Sequence, residues 1–254
     1  MARPEQRGST TADDQPCMTF ITEVLKRGDT RATSEPMKLS KQAKADALKR
    51  RCVWEKVQKD DVSDNANILG ACFVLEIKQP DTPTEVTKAR YVAKGCGDRE
   101  KPFIVQNLSA LRQSFTNVIV STSAVFGWRF FSPDVNQAYL QSKDAMARYL
   151  YVTVRPRDAK YFGMDENELL RILKPPYGLP EAGDYWDVTL VLHVKEDLVM
   201  DPLTGDPALF LKKDAGDHDG MLGAYVDDSC MGGNKRFQDL TTDTLDQFES
   251  KPRV

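Results

Sequence analysis

Histidine is nearly absent from this chain, with two among 254 residues, and the five cysteines form an odd set without C-x-x-C spacing. His193 and His218 lie far apart and have no Cys or Glu nearby at ligand spacing, so a zinc site lacks donors and both read as structural or surface residues. The cysteines, at 17, 52, 72, 96 and 230, read as free thiols of a reducing compartment rather than as a disulfide framework. No run of 18 apolar residues occurs, and the leading stretch MARPEQRGSTTADDQPC has no apolar core. Both features argue against membrane spanning and secretion and for a soluble intracellular protein. Neither G-x-G-x-x-G nor G-x-x-x-x-G-K-[ST] is present, which sets aside dinucleotide and P-loop phosphate sites.

What remains is an ordinary globular composition, 41% hydrophobic and 29% charged, in a chain long enough for one large domain or two small ones. The net charge of −3 conceals an asymmetry: residues 38 to 51 hold six Lys/Arg against one Asp, whereas residues 214 to 249 hold nine Asp/Glu against two Lys/Arg. Residues 1 to 17 are polar and read as a disordered lead-in.

From Ser40 as N-cap, KQAKADALKRRCVW predicts a helix with Ala43, Ala47, Leu48 and Trp54 near one face and lysines on the other, either a solvated basic face or one that contacts phosphate. NILGACFVLEIKQ and VTKARYVAKG flank the turn PDTPTE and predict a hairpin in which Lys88, Arg90 and Lys94 project from one face. NLSALRQSFTNVIVSTSAVFGW has the spacing of a buried helix ending at Gly127. A strand then delivers Asp134 near its end, ARYLYVTVRP gives another strand or turn, and LLRIL leads through a Pro/Gly loop into a Val- and Leu-rich helix. PALFLKK and MLGAYVDDSCMGG are strands, the second turning at its aspartates, and RFQDLTTDTLDQF closes with a helix. Strand pairs interspersed with helices predict an α+β fold, with helices packed on an antiparallel sheet.

Asp134, Asp227 and Asp228 are the carboxylates with chemical interest. An Asp-Asp pair in a turn is ordinary turn chemistry and decides nothing alone. Three convergent carboxylates repel one another unless divalent cations sit between them, and Mg2+ accepts a few carboxylates while leaving positions for water and phosphate oxygens.

Tyr225-Val226-Asp227-Asp228 resembles the Y-x-D-D box of reverse transcriptases, and DVNQAYL, with Tyr139 five positions after Asp134, resembles that group's other palm motif. KARYVAKG, KPPYGLPEAGDYW and DPALF, in this order before YVDD, resemble the copia-type (pseudovirid) branch of long-terminal-repeat retrotransposons, from about residue 20 onward. The resemblance implies fingers over about 38–120 and a palm over about 121–254 of a reverse transcriptase domain, 18–254, that stops before a thumb and ribonuclease H. It further implies two Mg2+ ions held by Asp134, Asp227 and Asp228, and an RNA or DNA template with primer and dNTPs as partners. Lys88 and Arg90 would grip the triphosphate, Tyr139 would lie beneath the sugar and exclude a 2′-hydroxyl, and Tyr177 and Gly178 would border nucleotide and template. A cytoplasmic particle or the nucleus is the implied location. Where many relatives read Lys-Gln-Ala-Pro-Arg, this chain has Pro180, Glu181, Ala182, Gly183 and Asp184, which replaces two cations by a proline and an acid.

Overall fold

The computed structural model describes residues 21–104, 111–214, 217–225, 228–245, 248 and 250–253. Among these residues the fold is α+β, with two six-stranded sheets and five α-helices. The first sheet combines β1 (Thr22–Val24), β2 (Trp54–Gln58), β3 (Ile68–Lys78), β4 (Val86–Ala93), β6 (Tyr151–Thr153) and β7 (Glu168–Ile172). It runs β1-β3-β6-β7-β2, with β4 also on β3. The long β3 makes this possible: Ala71–Lys78 pair antiparallel with β4, while Ile68–Gly70 pair parallel with β6. The second sheet runs β12-β5-β11-β10-β9-β8 and is antiparallel throughout. Its strands are β5 (Arg129–Val135), β8 (Asp201–Leu203), β9 (Asp206–Asp214), β10 (Asp217–Tyr225), β11 (Asp228–Gly233) and β12 (Ser250–Arg253).

The expected hairpin is β3–β4. Ala89, Tyr91 and Ala93 are buried and alternate with half-buried Lys88, Arg90 and Val92, as a strand with one covered face requires. Helix α1 (Glu35–Arg50) differs from its sequence prediction in three respects. It starts before Ser40, with Pro36 in its first turn, and Ser40 is not its cap. The Ser40 hydroxyl instead accepts from the Ala89 N–H at 2.9 Å and donates to the Thr87 carbonyl at 3.3 Å. A backbone donor on the edge strand β4 is satisfied that way, and the edge is blocked. The helix also stops at Arg50, because Cys52 takes a left-handed φ of 50° and Trp54 opens β2. Finally, Ala43 is exposed while Lys44 is buried.

Trp54, Phe73, Tyr91 and Phe162 pack edge-on or stacked between the first sheet and α3 (Pro156–Phe162), with centroids 4.6–5.9 Å apart. Helix α4 (Ala182–Glu196) buries Ala182, Trp186, Thr189, Leu190, His193 and Val194, a stripe at helical spacing. With Phe210, Leu222, Met231 and Phe237, that stripe forms the core under the second sheet. His193 is structural, as its sequence context implied: its Nδ1 lies 2.6 Å from Asp197, and burial lowers its pKa against the pull of that carboxylate.

Helix α2 (Gln113–Phe126) ends at left-handed Gly127 as predicted, but it is not a buried helix. Only Ile119 and Ser123 are buried, whereas Val118, Val120, Val125 and Phe126 are exposed. The adjacent Gly232 and Gly233 show how the sheet accepts a helix on each face. A Cβ on Gly232 would strike the Ser123 hydroxyl of α2, and one on Gly233 would strike the Phe237 ring of α5 (Lys235–Leu245). No helix among the described residues is long and apolar enough to cross a membrane, and Cys52, Cys72, Cys96 and Cys230 are free thiols.

Candidate active site

Asp134 and Asp228, 94 positions apart in sequence, are paired residues of neighbouring antiparallel strands, β5 and β11. Paired positions share one face of a pleated sheet, with Cβ atoms about 4.5–5.5 Å apart. The register continues through Met231 opposite Phe131 and Gly233 opposite Arg129. Between these points Pro133 has no N–H to give the ladder, and hydroxyls substitute. Ser132 donates to the Ser229 carbonyl at 2.7 Å and Ser229 donates to the Pro133 carbonyl at 3.4 Å. Val135, next to Asp134, is buried in the core under α4, so alternation assigns the Asp134 position to the opposite face. On its other side β5 pairs with β12, where Lys251 is opposite Asp134.

Tyr225 pairs with Asp228 to close the β10–β11 hairpin, while Val226 and Asp227 lie outside the described residues. Asp228 is half-buried, and Asp134 is described through its backbone. Among the described residues no three potential ligands form a metal cluster. The donor set itself suits a hard cation: the paired aspartate positions 134 and 228, with Asp227 next to Asp228 in sequence, offer carboxylate oxygens and no sulfur or imidazole.

After Asp134 the chain turns through Gln137, a non-glycine residue at φ 55°, into the 3-10 turn Ala138–Gln141 that carries Tyr139. The Tyr139 ring meets the Tyr177 ring at 5.1 Å between centroids. Lys44 completes the group: its Nζ lies 3.0 Å from Gln137 Oε1 and 5.3 Å from the Tyr177 centroid. Burial, and then repulsion from Lys88, Arg51 and Arg90, push the Lys44 ammonium down to about 8. Sequence periodicity missed this residue, since a lysine reads as a solvent-facing position. Lys88 and Arg90 share the predicted face of β4, but Arg90 forms an ion pair with the buried Glu76 of β3. Its direction is thereby fixed, and part of its charge is already answered.

Tyr177 and Gly178 join this assembly through backbone. The Tyr177 carbonyl accepts from the Ala93 N–H of β4 at 3.0 Å. Gly178 has a φ of 96°, and a Cβ there would strike the Ala93 carbonyl oxygen. The glycine thus lets the loop backbone lie close against the protein's own strand.

Glu181, in the following loop, has a structural role. Glu181 Oε1 accepts from Arg148 Nε at 2.8 Å, and Arg148 also makes two bonds to the buried Asp98, at 2.9 and 2.5 Å. Burial opposes the charge on Asp98, yet Arg148 and then Asn67 hold its carboxyl below the usual aspartate range. One guanidinium thus ties the segment before β6 to the loop after β4 and to the start of α4. The charge of Glu181 is committed to this tie.

Comparison with known families matches residues 52–251, most of the chain, to the family described as reverse transcriptase (RNA-dependent DNA polymerase). No curated protein matches the chain.

Proposed function

This chain belongs to the reverse transcriptase (RNA-dependent DNA polymerase) family, and we propose that it is the polymerase domain of a copia-type retrotransposon polyprotein, adding dNTPs to a primer 3′-hydroxyl. The observation that carries the reading is the pairing of Asp134 with Asp228 across β5 and β11, inside the matched segment.

In this reading Asp134, Asp227 and Asp228 hold two Mg2+ ions. When bound, these supply charge neutralisation and activation of the primer hydroxyl. The protein's own part is positioning. Tyr139, braced by Tyr177, forms the floor under the sugar and excludes a 2′-hydroxyl. Lys88 and Arg90 take the triphosphate, with Arg90 aimed by Glu76. Lys44 adds positive potential behind them, its amine meeting an amide oxygen and an aromatic face. Base pairing to the template supplies sequence, and the protein grips backbone.

Extension of a DNA primer on an RNA template with Mg2+ and dNTPs tests the reading. Wild type should extend the primer, and Asp228→Asn should fall to background while retaining the wild-type circular dichroism spectrum. Background activity from both proteins would contradict it.

A further inference from the structure

Strand β3 changes partners along its length. It pairs with β6 from Ile68 to Gly70 and with β1 from Glu76 to Lys78, while β4 runs beside it from Ala71 to Lys78. Backbone bonds fix the sides. The Asn67 carbonyl accepts from the Tyr151 N–H of β6 at 3.0 Å, and the Leu75 carbonyl accepts from the Leu25 N–H after β1 at 2.9 Å. Asn67 and Leu75 are an even number of residues apart, so β6 and β1 lie on one side of β3. The Gly70 carbonyl, at an odd offset, accepts instead from Lys94 N–H on the β4 side at 2.8 Å. Between β6 and β1, from Ala71 to Val74, β3 has no strand on that side among the described residues. The same alternation turns the Phe73 N–H and C=O into this gap.

A cavity of about 830 Å3 lies at the gap, lined by Cys72 to Leu75 and walled by the segment after β1, by α1 and by α3. Successive strand residues face opposite sides of a sheet, so a cavity lined by all four runs along the edge of β3 rather than over one face. Its walls are basic. Seven Lys/Arg line it, among them Lys26 and Arg27 after β1, Lys41 of α1, and Arg157 and Lys160 of α3. Among the described residues Asp158 is the one acid there, buried and 3.9 Å from Arg157. The local field is therefore positive in a chain whose formal charge is −3.

An open strand edge is a template for another strand, and an extended peptide completes it with main-chain bonds. On β4 such groups are covered, the Ala89 N–H by Ser40 and the Ala93 N–H by the Tyr177 carbonyl. At about 3.3 Å per residue the gap on β3 admits about four or five residues. Charge selects among peptides. The cations repel a second copy of the same edge and favour a strand with carboxylates at alternate positions, which share one face. A sugar–phosphate backbone offers charge but no repeating N–H and C=O to match the ladder.

We propose that the gap between β1 and β6 takes up an extended acidic peptide of a partner protein as an added strand on β3. The peptide backbone pairs with Phe73, and its carboxylates meet the Lys/Arg walls. The assignment goes beyond the polymerase reading and stands without it, since it involves neither the aspartates of the candidate site nor dNTPs.

The test is fluorescence anisotropy of a labelled peptide of alternating Val and Glu, about eight residues long, with the full chain at about 50 mM salt. Wild type should bind it, and the same peptide N-methylated throughout, which keeps its charge but has no N–H to give, should bind at least about tenfold more weakly. In Arg157→Gln/Lys160→Gln, both exposed positions, affinity for the unmodified peptide should fall about tenfold. If that pair fails to fold, Lys26→Gln/Arg27→Gln on the opposite wall carries the same expectation. No binding by about 1 mM wild type, or unchanged affinity in the charge variants, would overturn the proposal. So would equal affinity for the N-methylated peptide, which marks a plain anion trap; displacement by an oligoribonucleotide in that case would assign the groove to nucleic acid. Dimerisation of wild type that the same substitutions abolish would assign the edge to a second copy and overturn it as well.

Discussion

In the first sheet a charge is held by its partners, whereas in the second it is held by register. Arg90 is fixed by Glu76 across the β3–β4 hairpin, and Arg148 by Asp98 and Glu181 and Lys44 by Gln137 and the Tyr177 ring, the last two through contacts between side chains from distant segments. Asp134 and Asp228 instead meet because two antiparallel strands align, with hydroxyl bonds from Ser132 and Ser229 restoring what Pro133 removes from the ladder. Opposite charges in the first region attract and can assemble themselves. In the proposed reading the like charges in the second region would repel, and the sheet would hold them together for a divalent cation.

If partners hold the first region, removing one should be severe. Arg148→Ala leaves Asp98, whose side chain is fully buried, without its counter-ion and should cost about 3–5 kcal/mol, read by urea denaturation. A loss below about 1 kcal/mol would show that the loops stand without this tie. Gly178→Ala comes next. Its φ of 96° and the Ala93 carbonyl in the way of a Cβ should together cost about 2–3 kcal/mol, with the β4 cations displaced as well. A shift confined to a few tenths would break the claimed contact between that loop and β4.

The third test has the opposite sign. Lys44→Met removes a buried ammonium and should stabilise the fold by about 1 kcal/mol at neutral pH while raising the KM for dNTP. The folded lysine loses its proton near 8 and the unfolded one near 10.5. Below pH 8 it is charged in both states, and the fold carries the whole burial cost. Between about 8 and 10.5 the folded state gives up its proton first, so wild-type stability gains on that of the variant. The advantage of Lys44→Met should therefore be greatest below pH 8 and shrink toward pH 10. A constant difference across that range would remove Lys44 from the buried cation cluster.

Much of the fold was legible where apolar spacing is local. Strand β4 alternates in and out, α2 stops at Gly127, and α4 carries an i, i+4, i+7 stripe through Trp186. What escaped was decided by partners far along the chain. The short β1 and β2 have no amphipathic signature of their own and exist by pairing with β3 and β7. Ser40 looks like a helix cap until β4 presents a backbone N–H to it, and Lys44 looks like surface until Gln137 and Tyr177 close over it. Of the candidate site, the strand that carries Asp134 and the shared face of Lys88 and Arg90 followed from local pattern, whereas grouping Asp134 with Tyr139 came from the resemblance to reverse transcriptases. Arg148 beside Glu181 was not readable, because no local pattern encodes an ion pair between distant segments, and Glu76 beside Arg90 depends on the exact register of the β3–β4 hairpin.

In the proposed reading, strand register builds a carboxylate pair that takes up a divalent cation. Thermal unfolding with Mg2+ or with chelator, for wild type and Asp228→Asn, measures it directly. Wild type should gain Tm on adding Mg2+. Asp228→Asn should be more stable than wild type in chelator, by about 0.2–1 kcal/mol for a relieved like-charge pair, and should gain little from Mg2+. An equal Mg2+ gain in both proteins would contradict the account.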